Sequence, residues 1–186
     1  FPIGIFGVSY ALAIFPKLSE SVARKKGEEF FSGLSFGIRN ILFWSLPIAF
    51  LFIVLRAHIV RVILGAGAFD WNDTRLVAAS LATLSAMIVF EGLNTLLIRA
   101  FYALEKTWEP LVANISASIA SVVSAIILLG LFVRFPEWLH GLSRVLRVGD
   151  IAETQVLAVA IAFSLGSGLN FFLLSAKLRK TAEKAF

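Results

Sequence analysis

The stretch GLSFGIRNILFWSLPIAFLFIVL, residues 33–55, decides the fold class of this chain. It is apolar along its whole length and carries one charged residue, Arg39. A helix needs about 20 mostly apolar residues to cross the hydrocarbon core of a bilayer. The stretch is long enough, and it therefore predicts a helix that spans a membrane.

Four more stretches of the same kind surround it. The first is already under way at residue 1, without an initiator methionine or a charged flank, and we expect Pro16-Lys17 to end it. We therefore expect the chain to be a piece of a longer protein. The sequence predicts an all-α, polytopic transmembrane helix bundle that forms a single domain over residues 1–186, with spans at 1–18, 33–55, 76–98, 110–133 and 154–176.

The composition supports a membrane protein and excludes several other classes. Hydrophobic residues make up 59% of the chain and the mean hydropathy is +0.88, far above an ordinary soluble domain. Cysteine is absent, which excludes disulfides, thiolate nucleophiles and cysteine metal sites. The formal net charge is +5, but the charged side chains lie at the span ends and form no basic stripe. We therefore expect no nucleic-acid partner.

The lysines predict the orientation of the bundle. If the spans alternate in direction, the connections 17–32 and 99–109 share one side of the membrane with the tail after residue 176. Every lysine of the chain lies on that side. Basic residues are enriched on the cytoplasmic side of membrane proteins. We therefore expect these three segments to be cytoplasmic.

The connection 56–75 faces the other side. It begins as a short apolar helix, and we expect the helix to break at Gly65 and Gly67. Asparagine and aspartate are favoured helix N-caps, so Asn72 or Asp73 is predicted to cap the third span.

The second connection on that side, residues 134–150, has its apolar and polar side chains on opposite helical faces. This pattern predicts a short amphipathic helix that lies in the outer headgroup layer, and an ordinary loop is the alternative. The two histidines, His58 and His140, fall in different connections without a carboxylate pair or a nucleophile at a useful spacing. We expect no catalytic residue, no metal site and no cofactor.

Small residues recur at helical spacing in three spans. Such strips let helix backbones approach closely in lipid, where burial of apolar surface gives no reward for contact. We expect them to be helix contacts that hold a compact bundle together. They comprise Gly4, Gly7 and Ala11 in the first span, Asn114, Ser118, Ser121 and Ala125 in the fourth, and Ala162, Gly166 and Asn170 in the fifth.

Polar side chains at membrane depth are the candidate functional residues. Glu91 lies in the third span, with Asn94 one turn on and Arg99 at the end of the span. A carboxylate in hydrocarbon should face a cavity or a partner, so Glu91 and Asn94 either line a cavity or form a hydrogen bond between helices. Arg39 lies near the entry of the second span, where it can reach a cavity or extend its charged group to the interface.

Three motifs carry a family resemblance. They are FPIGIFGVSYALAIFPKLS at residues 1–19, GAGAFDWNDT at 65–74 and RAFYALEKTWEP at 99–110. In this order and spacing they resemble the MviN/MurJ lipid II flippase family, within the superfamily that also holds multidrug exporters and polysaccharide flippases. The residues that match the motifs are Gly65, Gly67, Phe69, Arg99, Phe101, Tyr102, Thr107 and Pro110, most of which we expect to shape turns and helix ends.

The resemblance implies that the five spans are the eighth to twelfth helices of a two-lobed protein in the bacterial inner membrane. Its N-terminal lobe would lie outside this chain. Family members carry an undecaprenyl-diphosphate-linked peptidoglycan precursor from the inner to the outer leaflet by alternating access. We expect Arg39 and Arg99 to contact the anionic head of this lipid, and Glu91 and Asn94 to line or gate the path. The family has asparagines and a proposed sodium site in its eleventh helix, but this chain has Ser121 and Ala125 at those positions, so the resemblance does not carry that site over to this chain.

Three other functions remain open at this point. An exporter of drugs or O-antigen lipid from the same superfamily would have similar spans, and a drug exporter should depend on a carboxylate such as Glu91 rather than on arginines. A membrane scaffold without transport activity would fit the small-residue strips. A membrane glycosyltransferase would need acidic residues clustered at one membrane face, whereas the acidic residues here are scattered.

Overall fold

The structure is a computed structural model that describes residues 3–65, 70–134 and 155–186, together with Gly141 and Leu146. Gly67, Phe69, His140 and most of the proposed amphipathic segment 134–150 lie outside the described residues.

The described residues are helical and form five long helices, with tight turns after the first and the third of them. A π-helical turn at Ile3–Val8 leads into α1, and each helix, with this turn included for α1, is long and apolar enough to cross a membrane. The predicted all-α, polytopic bundle is thereby confirmed. The helices are α1 (Ser9–Ala23), α2 (Gly27–Leu64), α3 (Trp71–Ala103), α4 (Trp108–Arg134) and α5 (Val156–Ala185).

The helices extend beyond the apolar stretches that predicted them. α2 contains 38 residues, which corresponds to about 57 Å at 1.5 Å per residue, against a hydrocarbon core of about 30 Å. Its first turn contains Glu28 and Glu29, whose charges suit the positive end of the helix dipole. The helix ends before Gly65, one of the two positions at which the sequence predicted a break. The N–H of Gly65 donates to the carbonyl of Arg61 at 3.0 Å.

The expectation that Pro16-Lys17 ends the first helix is wrong, because α1 continues through Pro16 to Ala23. Proline removes one backbone donor but has a φ compatible with a helix, so the loss is limited to a single bond. The residues that follow offset it: Leu18 is fully buried, and Ser21 donates its hydroxyl to the carbonyl of Lys17 at 2.8 Å.

The prediction that Asn72 or Asp73 caps α3 is also wrong, since the cap is Asp70. The N–H of Asp73 donates to Oδ1 of Asp70 at 2.9 Å, and the N–H of Asp70 donates to Oδ2 of Asp73 at 3.0 Å. This reciprocal capping box satisfies two N–H groups at once, which a cap at either predicted position could not do.

Both turns at the lysine-rich end of the bundle, residues 24–26 and 104–107, close in the same way. After α1, the N–H of Lys26 donates to the carbonyl of Ser21 at 2.9 Å, around Lys25 at a φ of 55°. After α3, the N–H of Lys106 donates to the carbonyl of Phe101 at 3.0 Å, around Glu105 at a φ of 59°. These six-to-one bonds are Schellman motifs that satisfy carbonyls at the helix ends. The RAFYALEK motif thus contains a helix end and its tight turn.

Close backbone approach joins the π-helical turn before α1 to α3. A Cβ built on Gly7 would lie 2.8 Å from Cα of Gly92, a distance that no real side chain tolerates. Next to this crossing, Gly37 of α2 lies against Ile14 and Leu96. The buried core of the bundle extends from this crossing to Phe30 and Phe101, both fully buried.

The helix α4 is attached differently, because it packs almost entirely on α5 and contacts α3 at few positions. A Cβ on Gly166 would overlap Oγ of Ser121 and lie 3.3 Å from the carbonyl of Ala117. The predicted strips of the fourth and fifth spans therefore meet at Ser121 and Gly166, as expected of helix contacts. The expectation is wrong for Ser118, which is exposed, and for Gly4 of the first span, which has no neighbour within 4 Å of a built Cβ.

Candidate functional site

A cavity of about 630 Å³ lies between α3, α4 and α5, where α3 and α4 diverge while both pack on α5. Most of its wall is apolar. One band of polar side chains crosses it, and these are Glu91, Asn94, Thr95, Asn114, Ser118, Ser121, Ser167 and Asn170.

Hydrogen bonds connect α3 to α5 inside this band. Ser167 donates its hydroxyl to Oε1 of Glu91 at 2.7 Å. Asn94 donates its amide N–H to the carbonyl of Ser167 at 3.2 Å and approaches its hydroxyl oxygen at 3.4 Å. Asn94 therefore lines the cavity and also forms a hydrogen bond between two helices. The two roles that the sequence predicted as alternatives are thus combined in one side chain. Ser167 was missed by the sequence reasoning, and its only signal was its position beside Gly166 in the strip of the fifth span.

A second amide pair connects α4 to α5. Asn170 donates its amide N–H to Oδ1 of Asn114 at 2.7 Å. The hydroxyls of Thr95 and Ser121 bond to carbonyls of their own helices, at 2.8 Å to Glu91 and 3.0 Å to Ala117. These two hydroxyl groups are thus satisfied within their own helices, and the carboxylate and amide groups define the chemistry of the cavity.

Glu91 lies deep in the bundle. Twelve residues separate it from Ala103 at the lysine-rich end of α3, which corresponds to about 18 Å along the helix axis. Within the described residues, no lysine, arginine or histidine nitrogen comes within 4 Å of its carboxylate. The cavity therefore presents an acidic group whose recorded side-chain partner is a neutral hydroxyl.

The two candidate arginines lie outside this cavity. Arg99 is half-buried near the end of α3, and its Nε is buried without a hydrogen-bond partner in the described structure. Arg39 is exposed on α2, on the same face as Phe36 and Phe43. The structure thus brings Glu91 and Asn94 together and separates them from Arg39 and Arg99.

The other motif residues that the structure describes lie at turns and helix ends. Phe101 and Tyr102 provide the carbonyls that close the turn after α3, and Pro110 is buried in the first turn of α4. Thr107 is exposed in the turn that precedes α4. These positions give them no contact with the polar band.

Ser121 and Ala125, which occupy the positions of the family's proposed sodium site, do not suit sodium binding in this chain. The Ser121 hydroxyl donates to its own helix, and Ala125 has no side-chain oxygen. In addition, no group of three or more histidine, cysteine, aspartate or glutamate residues capable of holding a metal ion is found in the described part of the chain.

Comparisons with known proteins agree with this architecture. The chain is 26% identical over 174 residues to a probable lipid II flippase MurJ of Vibrio cholerae, which covers 94% of this chain and 29% of that protein. It is 32% identical over 114 residues to a protein of the same description from Rhizobium tropici, covering 59% of this chain and 21% of that protein. It is 27% identical over 126 residues to the lipid II flippase MurJ of Thermosipho africanus, covering 68% of this chain and 26% of that protein.

The chain spans no more than about 30% of the length of these curated relatives. No solved structure matches it significantly. The family model for the lipid II flippase MurJ matches residues 1–185, which is nearly the whole chain. With five long apolar helices, this chain is part of a multi-pass membrane protein and belongs to the lipid II flippase MurJ family.

Proposed function

We propose that this chain is part of a flippase that carries a lipid-linked peptidoglycan precursor from the inner to the outer leaflet of the bacterial inner membrane. The observation that carries the proposal is the family match over residues 1–185. Because the chain covers about 30% of its relatives, we assign it to one lobe of a two-lobed protein, with the N-terminal lobe in sequence outside this chain. Residues 1–186 would form a single transmembrane domain of that lobe.

The chemistry of the cargo explains why a protein is needed. A diphosphate-linked saccharide cannot cross hydrocarbon unaided, because an unpaired charge there is strongly disfavoured. A path with arginines and amides replaces water around the head while the polyprenyl tail stays in lipid, and rocking of the lobes changes the leaflet to which the path opens. Moving two negative charges outward gains about 4–5 kcal/mol at a membrane potential of ~100 mV.

Arg39 and Arg99 are the residues that we assign to the anionic head. Arg99 lies four residues, about 6 Å, from the end of α3 at Ala103, and Arg39 lies twelve residues, about 18 Å, from the start of α2 at Gly27. Measured from the lysine-rich end of the bundle, Arg99 and Arg39 thus lie at two different depths along the helices. Neither has an ion-pair partner among the described residues, so both charges are available to a ligand.

We expect Arg39→Ala and Arg99→Ala in the full-length protein to slow lipid II translocation about 10-fold each, because a hydrogen bond to a charged group contributes about 1.5–3 kcal/mol. The rate is measured by the appearance of lipid II at the outer leaflet of proteoliposomes. Arg179→Ala is the matched control, since Arg179 is exposed and paired with Glu183 at 3.1 Å. An unchanged rate in both test variants would refute the assignment.

The proposed orientation puts the segments 17–32 and 99–109 and the tail after residue 176 in the cytoplasm. The chain has no cysteine, so cysteines introduced one at a time into a cysteine-free parent report their own position. We expect Lys184→Cys to react with an impermeant maleimide only after the inner membrane is opened, and Arg134→Cys to react in intact spheroplasts. Both side chains are exposed, so labelling in the reverse pattern would invert the topology.

A further inference from the structure

Another cavity, of about 480 Å³, lies at the lysine-rich end of the bundle, between the turn before α4 and the last turns of α5. Its charged lining side chains are Lys106, Lys180, Lys184 and Glu109. Three ammonium groups thus face one carboxylate, and the cavity has an excess of positive charge.

A hydrogen bond between α4 and α5 brings these side chains together. Thr181 on α5 donates its hydroxyl to Oε2 of Glu109, in the first turn of α4, at 2.8 Å. Lys180 adjoins Thr181 in the chain, and Lys106 lies three residues before Glu109. The contact between the helices therefore places the lysines of α5 beside the lysine of the turn.

The three lysine charges have no counter-charge within ion-pair distance. Over residues 3–65, 70–134 and 155–186, no carboxylate oxygen lies within 4 Å of their ammonium nitrogens. Lys180 and Lys184 are also four residues apart on α5, a spacing at which like charges repel each other and destabilise a helix. An anion bound between them would remove this repulsion.

Exposed aromatic side chains place the cavity at the level of the lipid head groups. Trp108, the first residue of α4, is 72% exposed, and Tyr102, in the last turn of α3, is 46% exposed. Tryptophan and tyrosine are enriched at the boundary between hydrocarbon and water. Lys106 lies between these two residues in the chain. An anion that is carried by a lipid therefore reaches the cavity without leaving the membrane.

From these observations we infer that the cavity binds the phosphate head group of an anionic phospholipid, held by Lys106, Lys180 and Lys184. Basic pockets between transmembrane helices on the cytoplasmic side suit such head groups, and we expect the lysine-rich end to be cytoplasmic. The hydroxyl of Thr181 is already donated to Glu109, so the lysines recognise the phosphate. A bound lipid would bridge the turn before α4 and the end of α5.

The inference is independent of the proposed transport function. Its lysines lie in the turn before α4 and on α5, whereas Arg39 and Arg99, which we assign to the cargo, lie on α2 and α3. Failure to bind phospholipid would therefore leave the assignment of the arginines untouched. Failure of the arginine variants to affect transport would likewise leave this site untouched.

Fluorescence quenching in the full-length protein tests the site. A bimane on Trp108→Cys, in a cysteine-free parent in mild detergent, should be quenched when phosphatidylglycerol spin-labelled near its head group binds. We expect Lys106→Gln, Lys180→Gln and Lys184→Gln each to raise the Kd about 5-fold, which corresponds to about 1 kcal/mol for a basic residue near an anionic lipid. Lys17→Gln is the matched control and should leave the Kd unchanged, because Lys17 is exposed on α1 and does not line the cavity.

Glu109→Gln should have the opposite effect. The glutamine oxygen can still accept the hydroxyl of Thr181, while the negative charge beside the phosphate is lost. We expect the Kd for phosphatidylglycerol to fall about 5-fold, the reverse of the lysine variants. A damaged fold would weaken binding and could not tighten it, so this variant separates an effect of charge from a loss of structure. An unchanged or higher Kd would contradict the inference.

Competition distinguishes an anionic phospholipid from other sources of phosphate. Inorganic phosphate at equal ionic strength should leave the quenching unchanged, and undecaprenyl diphosphate should displace the probe no better than unlabelled phosphatidylglycerol does. Spin-labelled phosphatidylcholine, which has a phosphate but no net charge, should bind at least about 10-fold more weakly, because its choline group repels the lysines.

Four results would overturn the inference. Displacement of the probe by inorganic phosphate would make a soluble anion the ligand, and preferential displacement by undecaprenyl diphosphate would make this a cargo site. Equal quenching by spin-labelled phosphatidylcholine would show that the cavity does not select an anionic lipid. An equal loss of binding in Lys17→Gln would show that only the overall charge of the protein matters.

Discussion

Gly166→Leu is expected to prevent α4 from docking on α5. A Cβ at this position already overlaps the hydroxyl oxygen of Ser121 and lies 3.3 Å from the backbone carbonyl of Ala117, which cannot rotate away. The remaining carbons of leucine would force the two helices apart along the whole strip. Because close approach of small residues is what holds helices together in lipid, we expect a destabilisation of about 3 kcal/mol or more.

The measurement is the yield of monodisperse protein and its melting temperature after purification in mild detergent. Gly130→Leu is the matched control, because Gly130 lies on α4 with no atom within 4 Å of a built Cβ. The same substitution should there leave the yield within experimental error. Equal losses in both variants would show that leucine disturbs insertion in general and that the α4–α5 contact is not the cause.

Gly7→Leu is expected to have a comparable effect at the crossing of the first and third helices. The built Cβ lies 2.8 Å from Cα of Gly92, so the clash is with backbone and no rotamer relieves it. The helices would have to separate, which would expose Ile41 and Leu96, both fully buried beside the crossing. We expect a loss of about 3 kcal/mol or more, seen as protein that no longer resists proteolysis in membranes.

Gly4→Leu provides the comparison on the same turn, since a Cβ on Gly4 meets nothing within 4 Å. Resistance to protease should be retained there. A double variant, Gly7→Ala with Gly92→Ala, should be as damaging as Gly7→Leu because both sides of the contact would then carry a methyl group. Normal resistance in this double variant would contradict the close approach seen in the structure.

The number of spans was predictable from the sequence because hydrocarbon sets a minimum length for an apolar helix. Helix ends were less predictable. Pro16 looked like a terminator, yet the loss of one hydrogen bond was outweighed by burial of Leu18 on the far side. The cap at Asp70 depends on a reciprocal bond to Asp73, and no property of either residue alone identifies it.

Individual residues of the candidate site could be predicted from the sequence, but the contacts between them could not. Glu91 and Asn94 were found because polar groups at depth are costly. Their partner, Ser167, was missed because a serine in a small-residue strip looks like a packing residue, and only the crossing of α3 and α5 brings it to the carboxylate. Arg99 is five residues beyond Asn94, which is about 140° around the helix, and its absence from the lining of the cavity agrees with that rotation.

The attachment of α4 through α5 has a consequence for biosynthesis. As the ribosome delivers the chain, α1, α2 and α3 can assemble once Ala103 has been inserted, but α4 lacks its main docking surface, α5, until residues 156–185 follow it. In that interval three of its four serines are not free donors, because Ser116, Ser121 and Ser124 bond to carbonyls of their own helix. Asn114 has no such bond within its own helix. Its side-chain amide therefore lacks its partner, Asn170, in the translocon or the lipid until α5 is inserted.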